Sequence, residues 1–83
     1  MKIKLRGVKR VCIDGDFIRL DDLLKFASMV SSGGEAKVLI QGGEVWVDGE
    51  LCVSRGKKIR SGAVVRCGEN TLVVNNQGSR AII

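Results

Sequence analysis

The sequence predicts an α+β fold: two short packed helices followed by a β-hairpin and further strands in a small, mostly antiparallel sheet. Three observations carry that reading. Apolar residues recur at helical spacing in two consecutive stretches, first Leu20, Leu23, Leu24, Ala27 and Val30, then Ala36, Leu39 and Ile40. An Asp48-Gly49 pair stands inside an alternating run of Val45, Val47, Leu51 and Val53, which is hairpin chemistry. Beyond it, glycine-marked turns cut the chain into strand-length pieces.

Taken in order, residues 1–6 alternate Lys2, Lys4 and Arg6 with Ile3 and Leu5, a strand with one face on the core and one in solvent. Gly7 permits a turn, Val8–Ile13 resumes as a strand, and Asp14-Gly15-Asp16 turns again, so the two runs are expected to pair. Their Lys and Arg side chains either touch an anionic partner or guard an edge strand against aggregation. The first helix is expected over residues 21–30, with Asp21-Asp22 at the positive end of its dipole and Phe26 and Met29 broadening its apolar face. A short link, residues 31–34, leads to the second helix. Ser32 stands three residues before Glu35, the capping-box spacing, so this helix should begin at Gly33, with the Glu35 carboxylate reaching back to the Ser32 amide. Gly42-Gly43 supplies the left-handed conformations that end it. The stretch 55–60, RGKKIR, reads as a basic loop. Ser61-Gly62 and Gly68-Glu69-Asn70 are turns, with strands at Val64–Cys67 and residues 71–74 and a flexible tail over 75–83.

At 83 residues the chain is expected to form one domain, too small for a deep catalytic cleft. Fourteen Lys and Arg against nine Asp and Glu give +5, which favours a polyanionic partner. Cys12, Cys52 and Cys67 lack C-x-x-C spacing and sit in strand-like runs, so they read as reduced core residues. Histidine is absent, which removes the commonest general base, and neither paired-carboxylate nor G-x-x-x-x-G-K motifs occur. Catalysis is not expected, nor any metal or cofactor. No apolar run approaches ~20 residues and no signal peptide opens the chain, so no membrane association is expected and the cytoplasm is the default setting.

The series Arg19-Leu20-Asp21, Leu24, Ser32, Ala36, Leu39-Ile40, Gly43, Val45, Val47, Asp48-Gly49, Gly62, Val64-Val65 resembles the ribosomal protein S-four type RNA-binding domain, or alpha-L motif. The likeness spans about residues 19–66. Such modules occur in ribosomal proteins, pseudouridine synthases, tyrosyl-tRNA synthetases and small stand-alone bacterial proteins, and the Gly33-Gly34 pair is closest to the last group. Where the family usually has Ser-Arg this chain has Ser32-Gly33, Asp48 replaces the usual Asn, and Ala63 stands where Asp often follows the glycine. The resemblance implies a single RNA-binding domain over residues 1–83 that recognises structured RNA, rRNA or tRNA, with a ribosome or an RNA-modifying protein as a further partner.

In that family the RNA face comes from the start of the helix pair and the hairpin loop, which nominates Arg19, Lys25, Lys37, Arg55, Lys57, Lys58 and Arg60. Closely spaced cations neutralise successive phosphates and release counterions; a charge run is also what an ordinary solvated face looks like. Ser32, Gly33 and Gly34 offer amides and small side chains that suit a phosphate, or they serve only to cap the helix against Glu35. Trp46 faces away from Val45 and Val47 and either stacks on an unpaired base or covers a neighbouring element. The competing functional reading is a protein–protein adaptor in an RNA-processing or ribosome-associated complex.

Overall fold

A computed structural model of the protein describes residues 7–76. The elements are β1 (Val8–Ile13), β2 (Phe17–Arg19), α1 (Leu20–Phe26), α2 (Gly33–Gln41), β3 (Val45–Val47), β4 (Glu50–Leu51), β5 (Lys58–Arg60), β6 (Val64–Cys67) and β7 (Asn70–Asn76). Five strands form a sheet in the order β1-β7-β6-β3-β4, and β2 with β5 forms a separate two-stranded ribbon. All pairings are antiparallel except β1 with β7, which run parallel. The strand expected at residues 1–6 lies outside the described residues, and β1 takes β7 as its partner.

Alternation sends Val11, Ile13, Val45, Val47, Val65, Cys67, Leu72 and Val74 to one side of the sheet. There they meet Leu20, Leu23, Leu24 and Ala27 of the α1 region and Ala36 and Ile40 of α2. Lys9, on the inward side of β1 near its start, donates from Nζ to the Ala27 carbonyl at 3.0 Å, placing a cation at the negative end of α1.

The first helix is shorter than its apolar period suggests. Ser28 takes a left-handed φ of 63°, its amide donates to the Lys25 carbonyl and the Met29 amide to that of Leu24, so the helix closes at Phe26. Phe26 is 62 % exposed and does not widen the buried face; Met29 does pack against the core. The second helix begins at Gly33 as expected. At its end only Gly43 is left-handed, at φ 83°, with Gly43 N–H donating to Ile40 and Glu44 N–H to Leu39, the paired bonds of a Schellman motif.

Asp48 and Gly49 have φ 51° and 87°, as a type I′ turn between β3 and β4 requires. The fourth strand is only two residues long, so Val53 falls beyond it, and Leu51 pairs with Trp46 on the outward side rather than joining Val45 and Val47. Cys12 also points outward and is exposed, because Val11 and Ile13 take the core positions on either side; Cys52 is half-buried and Cys67 buried. Asn75 and Asn76 extend β7 opposite Cys12 and Ile13, while residues 77–83 lie outside the described residues.

Candidate nucleic-acid interface

The last three residues of the run read as a basic loop are strand, and their pairing decides where the charges go. In the ribbon Phe17 lies opposite Arg60, Ile18 opposite Ile59 and Arg19 opposite Lys58. Because neighbours along a strand face opposite ways, the Ile18–Ile59 pair turns inward, with Ile59 only 1 % exposed, and the other two pairs turn out. Phe17 thus sits among cations, with Lys58 Nζ 5.0 Å and Arg60 Cζ 5.8 Å from its ring centroid. Each contact is worth about 0.5–1 kcal/mol at an exposed ring.

The ribbon is hooked to the start of α1. That helix has no side-chain cap; instead the Leu20 amide donates to the Lys57 carbonyl at 2.9 Å and the Asp21 amide to the Arg55 carbonyl at 3.1 Å. Asp21, 8 % exposed, holds Arg19 in a fork, accepting from Nε at Oδ1 and from Nη2 at Oδ2, both at 3.1 Å. Its Oδ1 also accepts the Asp22 amide at 2.9 Å. The Arg-Leu-Asp run therefore has a mechanical reason: the aspartate fixes the arginine, and the leucine between them is fully buried. Gly56 lies beside the guanidinium, where a Cβ would make an ordinary contact at 3.8 Å from Arg19 Nη2. Beside the ribbon opens a cleft of about 430 Å³ lined by Lys57, Lys58, Arg60, Gly62, Ala63 and Asp48. Asp48 is engaged there as an acceptor for the Val64 amide at 2.9 Å.

The structure gathers Arg19, Lys58 and Arg60 on one ribbon face, puts Lys57 on the adjoining cleft and Arg55 where its carbonyl meets α1. Among the described residues no hydrogen bond or ion pair joins Lys25, Lys37 or the turn at Ser32, Gly33 and Gly34 to the ribbon. Lys25 is 3.7 Å from Asp22 on its own helix. Lys37 is exposed one turn beyond Gly33, on the same side of α2. Ser32 Oγ accepts the Glu35 amide at 3.2 Å, so the cap forms, but the Glu35 carboxylate takes the Ser31 amide at 2.7 Å rather than that of Ser32.

Two residues of this arrangement escape a reading of charge alone: Phe17, which anchors the cations, and Asp21, which aims Arg19. The alternation in Phe17-Ile18-Arg19 and Lys58-Ile59-Arg60 was the available signal. Burial, and secondarily the Glu44 carboxylate, push the Cys67 thiol above its ordinary value, which marks a buried neutral core side chain rather than a nucleophile. Among the described residues no three Cys, Asp or Glu side chains gather as metal ligands, and no helix is long and apolar enough to cross a membrane.

Comparison with known proteins adds one finding. The family model described as the S4 domain matches residues 11–75, taking in both helices, the ribbon, the hairpin and most of the sheet. A search of curated proteins found no match. S4 domains are in general RNA-binding modules without catalytic activity. With well over half its length matched, the chain belongs to the S4 domain family.

Proposed function

We propose that the protein is a non-catalytic, cytoplasmic RNA-binding domain that grips structured RNA, rRNA or tRNA, through the basic face of the β2–β5 ribbon. The observation that carries this reading is the ribbon register, which sets Lys58 and Arg60 over the exposed ring of Phe17 and Arg19 opposite Lys58 on the same face. Lys57 extends the contact along the neighbouring cleft and Arg55 beside the start of α1, and Lys25, Lys37 and the turn at Ser32, Gly33 and Gly34 meet the same RNA from the helix pair. A-form RNA hides its base edges in a deep groove, so a short, firmly braced row of cations suits recognition by shape and backbone.

A salt titration on a folded RNA hairpin tests it. With about four phosphates neutralised, affinity should fall roughly 50- to 150-fold between about 50 and 200 mM salt. Lys58→Glu with Arg60→Glu should weaken binding further while far-UV circular dichroism stays unchanged. Salt-independent binding, or none, defeats the reading.

A second reading, a protein adaptor, draws support from Phe26 and Val38, 62 % and 69 % exposed on the two helices. A ribosomal or RNA-modifying partner retained after nuclease treatment, and lost on Val38→Asp, would favour it.

A further inference from the structure

The outward side of the five-stranded sheet is a second exposed surface, distinct from the ribbon. Its ladder sets Trp46 opposite Arg66 and Arg66 opposite Thr71, a single row across β3, β6 and β7. Arg66 Cζ lies 4.5 Å from the centroid of the Trp46 ring, so the guanidinium rests on the indole. Among the described residues Arg66 pairs with no carboxylate. Beside the row is a depression of about 300 Å³ lined by Trp46, Gly49, Val64, Arg66 and Thr71, at the small end of ligand clefts. The outward position Arg10 on β1 adds a second cation, and no outward position of β1, β3, β6 or β7 holds Asp or Glu.

Such a shelf asks for a flat, π-rich ligand that carries negative charge. A nucleobase stacks on an aromatic ring or on a guanidinium plane, and its phosphate is drawn to the same arginine. The Thr71 hydroxyl adds a hydrogen-bonding group beside the stack. The shelf also adjoins the ribbon: the basic cleft reaches Asp48 and Ala63, and this depression reaches Gly49 and Val64, the next residue along the chain in each case. One RNA molecule can reach both across the hairpin tip.

We propose that the Trp46–Arg66 shelf binds a single unpaired nucleobase of the RNA whose folded part lies on the ribbon, so that the domain reads a junction between paired and unpaired strand. The inference rests on the RNA-binding reading of the ribbon, and the two are separable by experiment. Trp46 is the only tryptophan in the chain, so its fluorescence reports the shelf directly. The intact protein is titrated with a blunt RNA hairpin and with the same hairpin bearing a short unpaired extension. The extension should quench Trp46 and tighten binding about 5- to 150-fold, the range expected of one stacked base. Trp46→Leu should erase that gain and leave the blunt hairpin bound as before; Arg66→Gln, which keeps the indole and the readout, should reduce it. Equal affinity for the two RNAs with an unquenched indole overturns the shelf and leaves the ribbon reading intact. A lost blunt-hairpin interaction, with quenching retained by a single-stranded oligonucleotide alone, upholds the shelf and overturns the ribbon.

Discussion

The ribbon and the five-stranded sheet obey the same alternation of side chains, but they depend on different things to hold their outward faces in place. The sheet is secured by its own ladder and by inward residues from four strands, including Val45, Val65, Leu72 and Val74, all fully buried. The ribbon has three residues per strand and would be marginal alone. It stays put because Ile59 is buried and because the first amides of α1 donate to the carbonyls of Lys57 and Arg55. Cations on the sheet are therefore placed by secondary structure, and those on the ribbon by attachment to the rest of the fold. Damage beneath the ribbon should reach binding; damage beneath the sheet should reach stability alone.

The largest expected effects test that contrast directly. Ile59→Ala and Leu72→Ala should each cost about 2–5 kcal/mol in urea unfolding. Only Ile59→Ala should also weaken RNA binding by the molecules that remain folded; equal RNA affinity in the two variants would break the distinction. Next, Asp21→Asn weakens the fork to Arg19. Because that arginine is half exposed and screened by solvent, the loss should be about 1 kcal/mol, and an unshifted midpoint would mean the fork braces nothing.

Ser32→Ala removes the cap of α2, which belongs to neither the ribbon nor the sheet. It should cost about 1 kcal/mol by the same measurement and spare the ribbon.

The smallest effect belongs to the sheet and depends on pH. The folded Cys67 thiol titrates above its ordinary value of 9.0, so the unfolded chain loses its proton first as pH rises. The stability this group confers is complete below pH 9.0 and declines above it. Between about pH 8 and pH 10 the wild type should thus lose more stability than Cys67→Ala; identical slopes would contradict a buried, neutral thiol.

How far the sequence discloses this arrangement varies with distance along the chain. Local chemistry is legible: Ser32 with Glu35 marks the start of α2, Gly43 its end, and Asp48-Gly49 the hairpin. The end of α1 is not, because Ala27 and Val30 keep the helical period while Ser28, a residue with no special liking for positive φ, breaks it. The cations of the site are equally visible as residue types. What stays hidden is which of them meet, since that follows from pairing β2 with a strand about forty residues later, across two helices and a hairpin. A three-residue strand beside a turn carries too little pattern to announce a partner at that range. The same limit concealed the mate of β1, whose alternation was plain.

That mate has a consequence for how the molecule is assembled. Val8 lies beside Thr71 and Ile13 beside Asn76, so the earliest described strand waits for the latest. As synthesis proceeds, both helices, the ribbon and the hairpin can be complete while the apolar side chains of Val11 and Ile13 still lack a neighbour. Closing so long a loop is slow, and a strand left open meanwhile is prone to stray association. Cutting the chain just before Asn70 would therefore remove the strand that lies between β1 and β6, leaving β1 without its only partner in the sheet.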